Sequence, residues 1–324
     1  MTLLASEVMR AAYASSINSD DPLAGLTVGE APEPVKVADD WVTVEVRASA
    51  LNHHDLWSLR GVGLPADRLP MILGCDAAGV DEDGNEVVLF PVLADPGDPR
   101  GYSLFSENYP GTLADRVAVP RANLVPKPSG VPFTDAACLP TAWLTAYHML
   151  TAKGRVASAD AVLVQGAGGG VATAAVVLAA ALGKRVYATS RDPGKRERIA
   201  ALGSTALEPG ARLPERVQVV IETVGAATFD HSLKCAAPGA RIVVSGTTAG
   251  HLATVDLRRV FALQLEILGS SMGTVEELAA LVDLCATGLR PVVDEVIAFS
   301  DVRDAFEKLY RGDVFGKIIL DHTR

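Results

Sequence analysis

The chain has 324 residues, enough for two domains, and 49% of them are apolar, so a sizeable core can be buried. Its formal net charge of −10 argues against nucleic acid or an anionic membrane as a partner. The four cysteines, Cys75, Cys138, Cys235 and Cys285, are widely spaced and form no C-x-x-C pair, which speaks against a zinc ribbon or a disulfide framework and fits a reducing cytoplasm.

No basic segment followed by an apolar core opens the chain, so no signal peptide is expected. The first third is rich in strand and turn signals. Val35–Val37 and the alternating Trp41–Ala50 read as strands, as do Glu86–Pro91 and Leu113–Val119. Between the last two, Ala94–Pro110 is a polar loop rich in Pro and Gly, of a length that is usually functional or mobile. Asn123–Pro132 reads as a linker. Thr134 is expected to cap a helix that carries Cys138–Leu150, with Asp135 in its first turn.

From Ala161 the pattern changes to strand (Ala161–Gln165), glycine turn (Gly166–Gly170), helix (Val171–Leu182) and strand (Arg185–Thr189). That helix is too short to span a bilayer. Arg216–Glu222 and Ala240–Ser245 follow as buried strands, with Phe229–Cys235 on the helix between them. Leu265–Ser270 is another strand, before a helix over Val275–Ala286. The end returns to mixed character: Val292–Phe299, a helix over Val302–Tyr310, and Lys317–Leu320. Strands alternating with helices imply a parallel sheet. A β-rich start with a short C-terminal return implies that the domain of alternating strands and helices, residues 125–288, is inserted into a domain made of 1–124 and 289–324.

The stretch from Ala161 to Arg191 reads as the first βαβ unit of a dinucleotide-binding fold. Gly168, Gly169, Gly170 and Val171 lie where backbone and helix N-terminus meet a pyrophosphate, since glycine lets the backbone approach without a Cβ. A strict G-x-G-x-x-G from Gly166 fails at Val171, whereas Gly166-x-x-Gly169-x-x-Ala172 keeps a small residue where helix meets strand. After the second strand stand Ser190 and Arg191, with Lys195 and Arg196 close behind. A hydroxyl and cations suit a 2′-phosphate and therefore NADPH. Asp192 is the counter-signal, because NAD sites use a carboxylate near this position.

Together with Ala50–Trp57 (ALNHHDLW), Pro70–Val80 (PMILGCDAAGV), Gly111–Val119 (GTLADRVAV), Pro140–Tyr147 (PTAWLTAY), Ile221–Gly225 (IETVG), Ser245–Thr247 (SGT) and Phe315–Leu320 (FGKIIL), the chain resembles the medium-chain dehydrogenase/reductases, and among them the zinc-free, quinone oxidoreductase-like branch. The resemblance implies an α/β fold: a doubly wound parallel Rossmann sheet inserted into a β-rich GroES-like catalytic domain. It implies an NADPH-dependent oxidoreductase that passes hydride to a quinone or an activated C=C or carbonyl group, and a homodimer with Leu265–Ser270 as a candidate sheet-edge contact, while the cysteines point to a cytoplasmic setting.

The zinc-ligand positions of zinc-dependent relatives fall on Asn52, Cys75 and Thr141, and one cysteine with Asn and Thr makes no zinc site. Asn52 and Thr141 are then the polar candidates for stabilising a developing oxyanion, or for holding the carboxamide or ribose of the cofactor. His54 stands where zinc alcohol dehydrogenases keep a proton-relay hydroxyl, and is a candidate proton donor or a turn-capping residue. His53, Trp57 and Met272 are candidates for the substrate pocket, with Trp57 equally readable as core. Cys75 reads as a small buried residue and Asp76 as the partner of a buried cation or amide. Thr223, Val224, Ser245, Gly246 and Thr247 end strands where such sheets bind ligands, and Lys317 is expected near the cofactor phosphates. A degenerate zinc-type alcohol dehydrogenase, for which adjacent histidines supply imidazole, and a protein that binds NADPH with incidental turnover stay open as alternatives.

Overall fold

The computed structural model describes residues 8–324. They form two compact units: one runs up to Thr141 and resumes from Leu278 to Arg324, and the other is Ala142–Glu277. These joints fall at different places from the sequence-based limits of 124/125 and 288/289. Leu124–Pro126 pairs with Val87–Leu89, which ties the expected linker to the first unit's sheet.

In the discontinuous unit, the main sheet has the order Leu124–Pro126, Glu86–Leu89, Asp76–Asp81, Trp41–Ala50, Lys317–Asp321, Val293–Ala298, and Arg116–Pro120 also pairs with Trp41–Ala50. Its register places the polar residues. Ala50 faces Asp76 on one side and Ile319 on the other. Asn52, two residues beyond Ala50, Asp76, and Lys317, two residues before Ile319, therefore gather at one end of three adjacent strands.

A hairpin of Val8–Ala14 and Leu26–Pro32 pairs at Tyr13–Ala14 with Met71–Ile72. The helix Val302–Arg311 buries Val302, Ala305, Phe306 and Leu309, the i, i+3, i+4, i+7 stripe of an amphipathic helix, and ends on left-handed Gly312. Those residues join Leu56, Leu59, Leu73, Leu113 and Phe299 in one apolar cluster.

In the continuous unit, six parallel strands run in the order Thr205–Leu207, Arg185–Thr189, Ala161–Val164, Val217–Glu222, Ala236–Val244, Glu266–Gly269. This is the doubly wound Rossmann order, and it reverses between Ala161–Val164 and Val217–Glu222. Every side chain of Ala161–Val164 is buried, as a parallel strand with both faces covered requires. The helix Gly170–Ala181 buries Ala172, Ala174, Ala175 and Ala179. These small side chains let it lie close against the sheet.

Several expectations are corrected. Val35–Val37 is not a strand: both valines are exposed and the segment has no ladder partner. The loop expected over Ala94–Pro110 contains Tyr102–Leu104, paired with Val92–Ala94. Pro132, not Thr134, precedes the helix Phe133–Ala136. Beyond Cys138 the expected regular helix opens into wider π turns over Leu139–Trp143 and Met149–Lys153, flanking the α-helix Leu144–His148. Pro140, which lacks an N–H, accounts for the first opening. Among the described residues no helix is long and apolar enough to cross a membrane.

Candidate functional site

At the reversal of the parallel sheet lies a cleft of ≈ 790 Å³, walled by Gly166–Gly169, Thr189–Asp192, Lys195, Pro209, Val224, Ala227, Thr228, Thr248 and Ala249. Gly166 has φ +70°, and a Cβ there would fall 2.3 Å from Cγ2 of Val224. Gly168 has φ +136°, and a Cβ there would fall 2.9 Å from Cδ of Lys195. Both positions need glycine for conformation, and Gly166 also for room, whereas the flexible Lys195 side chain beside Gly168 can shift. Gly169 precedes the helix Gly170–Ala181 with no side chain and with open space where its Cβ would be. The first N–H groups of that helix have no intrahelical acceptor and favour an anion.

Neighbouring strands hold the turn in place. The amide of Gly166 donates to Oγ1 of Thr189 (3.2 Å), the Thr189 hydroxyl donates to Oε1 of Gln165 (2.7 Å), and the amide of Ala167 donates to the Thr189 carbonyl (2.7 Å). The opposite wall is organised by Glu222, which is fully buried. Its carboxylate accepts from the amides of Val224 (2.9 Å) and Gly225 (3.0 Å) and from the hydroxyls of Thr228 (2.9 Å) and Ser232 (2.7 Å). Four donors on one carboxylate satisfy a charge that burial would otherwise penalise.

The structure thus brings Gly168, Gly169, Ser190, Arg191, Lys195 and Val224 around one cleft. Gly170 and Val171 begin the helix behind it. Thr223, Ser245, Gly246 and Thr247 follow the ends of two neighbouring strands, and a Cβ on Gly246 would lie 2.8 Å from the carbonyl of Thr223. They adjoin the cleft without lining it. Sequence reasoning missed Thr228, Thr248, Ala249 and Pro209 on the walls. It also passed over Glu222, for which a buried acidic residue at the end of an otherwise apolar strand was the available signal.

Asp192 lines the same cleft. It is the N-cap of the helix Pro193–Ala201, where Oδ1 accepts from the amide of Lys195 at 2.9 Å. That backbone donor holds its carboxyl below the usual range.

The discontinuous unit holds a second polar centre. Nζ of Lys317, almost wholly buried, donates to the carbonyl of Leu51 (2.7 Å), Oδ1 of Asn52 (2.6 Å) and Oδ2 of Asp76 (3.0 Å). Nδ2 of Asn52 donates to the same Asp76 oxygen at 2.9 Å. Lys317 was expected by the cofactor phosphates. It does not line the cleft, and its three N–H donors are engaged within its own unit, because a buried ammonium needs a counter-charge and a full set of acceptors. Asn52 is correspondingly held by the pair. Oδ1 of Asp76 and Oγ1 of Thr141 are buried without a hydrogen-bond partner among the described residues.

His54, from the helix His53–Leu59, has both ring nitrogens turned toward its own unit. Nε2 lies 3.3 Å from Oε1 of Glu107, and Nδ1 lies 3.4 Å from Sγ of Cys75 and 3.5 Å from Oγ of Ser106. Burial opposes the imidazolium, while the Glu107 and Asp55 carboxylates favour it. Glu107 is likewise opposed by burial, but hydrogen bonds from His54 and Arg100 bring it down to about 2. Burial pushes the Cys75 thiol up, and the thiol donates to the carbonyl of Phe105 at 3.2 Å. This fits Cys75 as a small buried residue.

His53 is exposed. Trp57 is 38% exposed and carries the guanidinium of Arg60 5.2 Å from its ring centroid, so it is not a core residue. Met272 is buried in the other unit with a left-handed backbone, and its Sδ faces the hydroxyl of Thr145 at 3.9 Å.

Comparison with known proteins agrees with this architecture. A family model described as an alcohol dehydrogenase GroES-like domain matches residues 38–129, and one described as a zinc-binding dehydrogenase matches residues 196–320. A solved NAD-dependent alcohol dehydrogenase is 32% identical and superposes with a TM-score of 0.86, over 97% of this chain and 99% of that one. The chain belongs to the medium-chain dehydrogenase/reductase superfamily. Within that superfamily it is similar to an acryloyl-coenzyme A reductase of Sulfurisphaera tokodaii, 27% identical over 92% of this chain and 97% of that protein. It is also similar to a zinc-type alcohol dehydrogenase-like protein of Schizosaccharomyces pombe, 29% identical over 89% and 92%. Zinc appears in the description of one matching model, while among the described residues no group of three or more His, Cys, Asp and Glu is disposed to hold a metal ion.

Proposed function

We propose that the chain is an NADPH-dependent reductase of an electron-poor double bond, acting without catalytic zinc. The carrying observation is the end of the second strand of the parallel sheet. There Ser190, Arg191, Asp192 and Lys195 line the cleft, and one oxygen of the Asp192 carboxylate is engaged in capping the helix that follows. Such an end offers donors and positive charge, which a 2′-phosphate accepts and a 2′-hydroxyl needs less. The cleft fits a dinucleotide in the further sense that Gly166 and Gly168 leave room that a Cβ would fill.

Bound there, the nicotinamide would supply a hydride. The protein's part is to orient the acceptor, exclude water and hold a proton. For the proton we propose His54, whose Nε2 lies 3.3 Å from Oε1 of Glu107, a carboxylate that favours the imidazolium. For the developing oxyanion we propose the Thr141 hydroxyl, which has no protein partner among the described residues, in preference to Asn52, which Lys317 and Asp76 hold. The acryloyl-coenzyme A reductase relative supports an enoyl thioester or enone as acceptor, and quinones are the second class to try. We also propose a homodimer joined through the edge strand Glu266–Gly269, whose Ile267 is 41% exposed, and a cytoplasmic setting, which the four free buried cysteines suit.

The test is a fluorescence titration with NADPH and NADH in parallel, in zinc-free buffer, followed by NADPH consumption with enones, enoyl thioesters and quinones, with and without chelator. Preference for NADPH and chelator-insensitive turnover are the expected results. Preference for NADH, or stoichiometric zinc with alcohol oxidation, overturns the proposal in favour of an alcohol dehydrogenase.

A further inference from the structure

The turn that follows the second parallel strand carries three acceptors that could take a hydrogen bond from a ribose hydroxyl: the carbonyls of Ser190 and Arg191 and the carboxylate of Asp192. Each already accepts one hydrogen bond, the carboxylate through Oδ1 alone. Nη1 of Arg196 donates to the Ser190 carbonyl at 2.9 Å and to the Arg191 carbonyl at 3.1 Å. Nη2 of the same guanidinium pairs with Oε1 of Glu208 at 3.1 Å. Asp192 accepts from the amide of Lys195. Oγ of Ser190 accepts from the amide of Asp192 at 3.3 Å, which leaves its hydroxyl proton to donate outward.

We propose that Arg196, which does not line the cleft, determines the cofactor preference of the site by holding both carbonyls of the Ser190–Arg191 turn. The proposal rests on the NADPH reading above. With those carbonyls covered, the turn faces the ligand with the Ser190 hydroxyl and the cations of Arg191 and Lys195. A phosphate dianion brings only acceptors and meets donors. A 2′-hydroxyl also brings a donor, and carbonyls already shared with a guanidinium are poorer acceptors for it. The guanidinium also offsets the negative ends of two carbonyl dipoles that would otherwise repel the dianion. Arginine is suited to this because one planar group reaches two carbonyls and a carboxylate together, which a lysine ammonium on a flexible stem does less well. Arg196 is thus a positioning residue that acts through the turn.

The experiment uses the full chain with R196M and R196K. Dissociation constants are measured by titration calorimetry for NADPH and NADH, and for adenosine 2′,5′-bisphosphate against AMP. R196M is expected to weaken NADPH and the bisphosphate by about tenfold, and to leave NADH and AMP unchanged or bound more tightly. R196K is expected to fall between R196M and the wild type. Unchanged AMP binding reports an intact cleft, and where R196M melts early R196K carries the same comparison. Equal losses for both members of each pair mean a structural role and overturn the proposal, as does no change in either. A wild-type chain that prefers NADH overturns the cofactor reading and this proposal together. A wild-type preference for NADPH that R196M leaves intact overturns this proposal alone.

Discussion

The cleft of the parallel-sheet unit and the polar centre of the discontinuous unit are both built to hold charge, by different means. In the cleft, backbone does most of the work: a glycine turn, a helix N-terminus and a carboxylate that gathers the amides of Val224 and Gly225. In the polar centre, side chains neutralise one another across long sequence separations. Lys317 reaches Asn52 and Asp76, and Glu107, itself paired with Arg100, reaches His54. The first arrangement leaves donors facing outward for a ligand. The second closes on itself, with Oδ1 of Asp76 left without a partner among the described residues.

The largest effect expected from this difference comes from breaking the buried pair. Asp76→Ala leaves the Lys317 ammonium nearly fully buried without its counter-charge, and should destabilise the protein by about 3–5 kcal/mol. Urea melts measure this, and the double variant Asp76→Leu with Lys317→Met should recover much of it, since two apolar groups leave no orphaned charge. If the single variant loses under about 1 kcal/mol, the pair is solvated and the contrast between the two regions fails.

Next in size is His322, whose ring stacks on Phe299 at 4.2 Å and faces the Ser49 hydroxyl at 2.8 Å. Burial lowers its pKa from 6.5 to about 3. The unfolded chain therefore takes up a proton that the folded chain refuses. Stability is full above pH 6.5 and falls as pH drops from there toward about 3. The loss should reach on the order of 2 kcal/mol near pH 5, and His322→Asn should flatten that slope in melts run at several pH values. An unchanged slope would mean that His322 titrates normally, and that burial in this unit is less complete than its packing implies.

These two predictions bear on what the sequence could reveal. The parallel sheet and its glycine turn were legible because local pattern dictates them: apolar runs of strand length, glycines where a Cβ cannot fit, and a helix start immediately after. The order of the site's parts follows from that topology. The polar centre was only half legible. Asp76 was read as the partner of a buried cation, but that the cation is Lys317 depends on Ala50 pairing with Asp76 on one side and Ile319 on the other, a register between segments more than 240 residues apart. Placing Lys317 by the phosphates was an inference from resemblance, and the register overrides it. Glu107 was invisible for a similar reason. It lies in the stretch read as loop, and only the pairing of Tyr102–Leu104 with Val92–Ala94 explains how that stretch is anchored beside His54.

In the cleft, two glycines three residues apart should separate stability from binding. Gly166→Ala puts a Cβ at φ +70° and 2.3 Å from Val224, and should cost about 1–3 kcal/mol along with dinucleotide binding. Gly169→Ala meets nothing within 4 Å, so its stability should change by about 0.5 kcal/mol at most, while its methyl group stands where a phosphate would approach. Melting curves and NADPH titrations on both variants check this. Tight binding by Gly169→Ala would show that the turn does not cradle the ligand.

The smallest effect sharpens the comparison from the other side. Arg100 is 43% exposed in its side chain and pairs with Glu107 at 2.7 Å. Glu107 is also held by His54 and by the amide of Leu104 at 3.1 Å, so removing Arg100 leaves the carboxylate with other partners. Arg100→Met should therefore cost only about 1 kcal/mol. Because the folded pKa of Glu107 is depressed to about 2, its stabilisation is present above its ordinary 4.5 and is lost as pH falls from there toward about 2. Arg100→Met should shrink that acid-side loss while leaving NADPH affinity in the cleft unchanged, as urea melts near pH 4 and a parallel titration would show. A change in NADPH affinity would mean that the two regions are energetically coupled, and that the closed polar centre takes part in holding the cofactor.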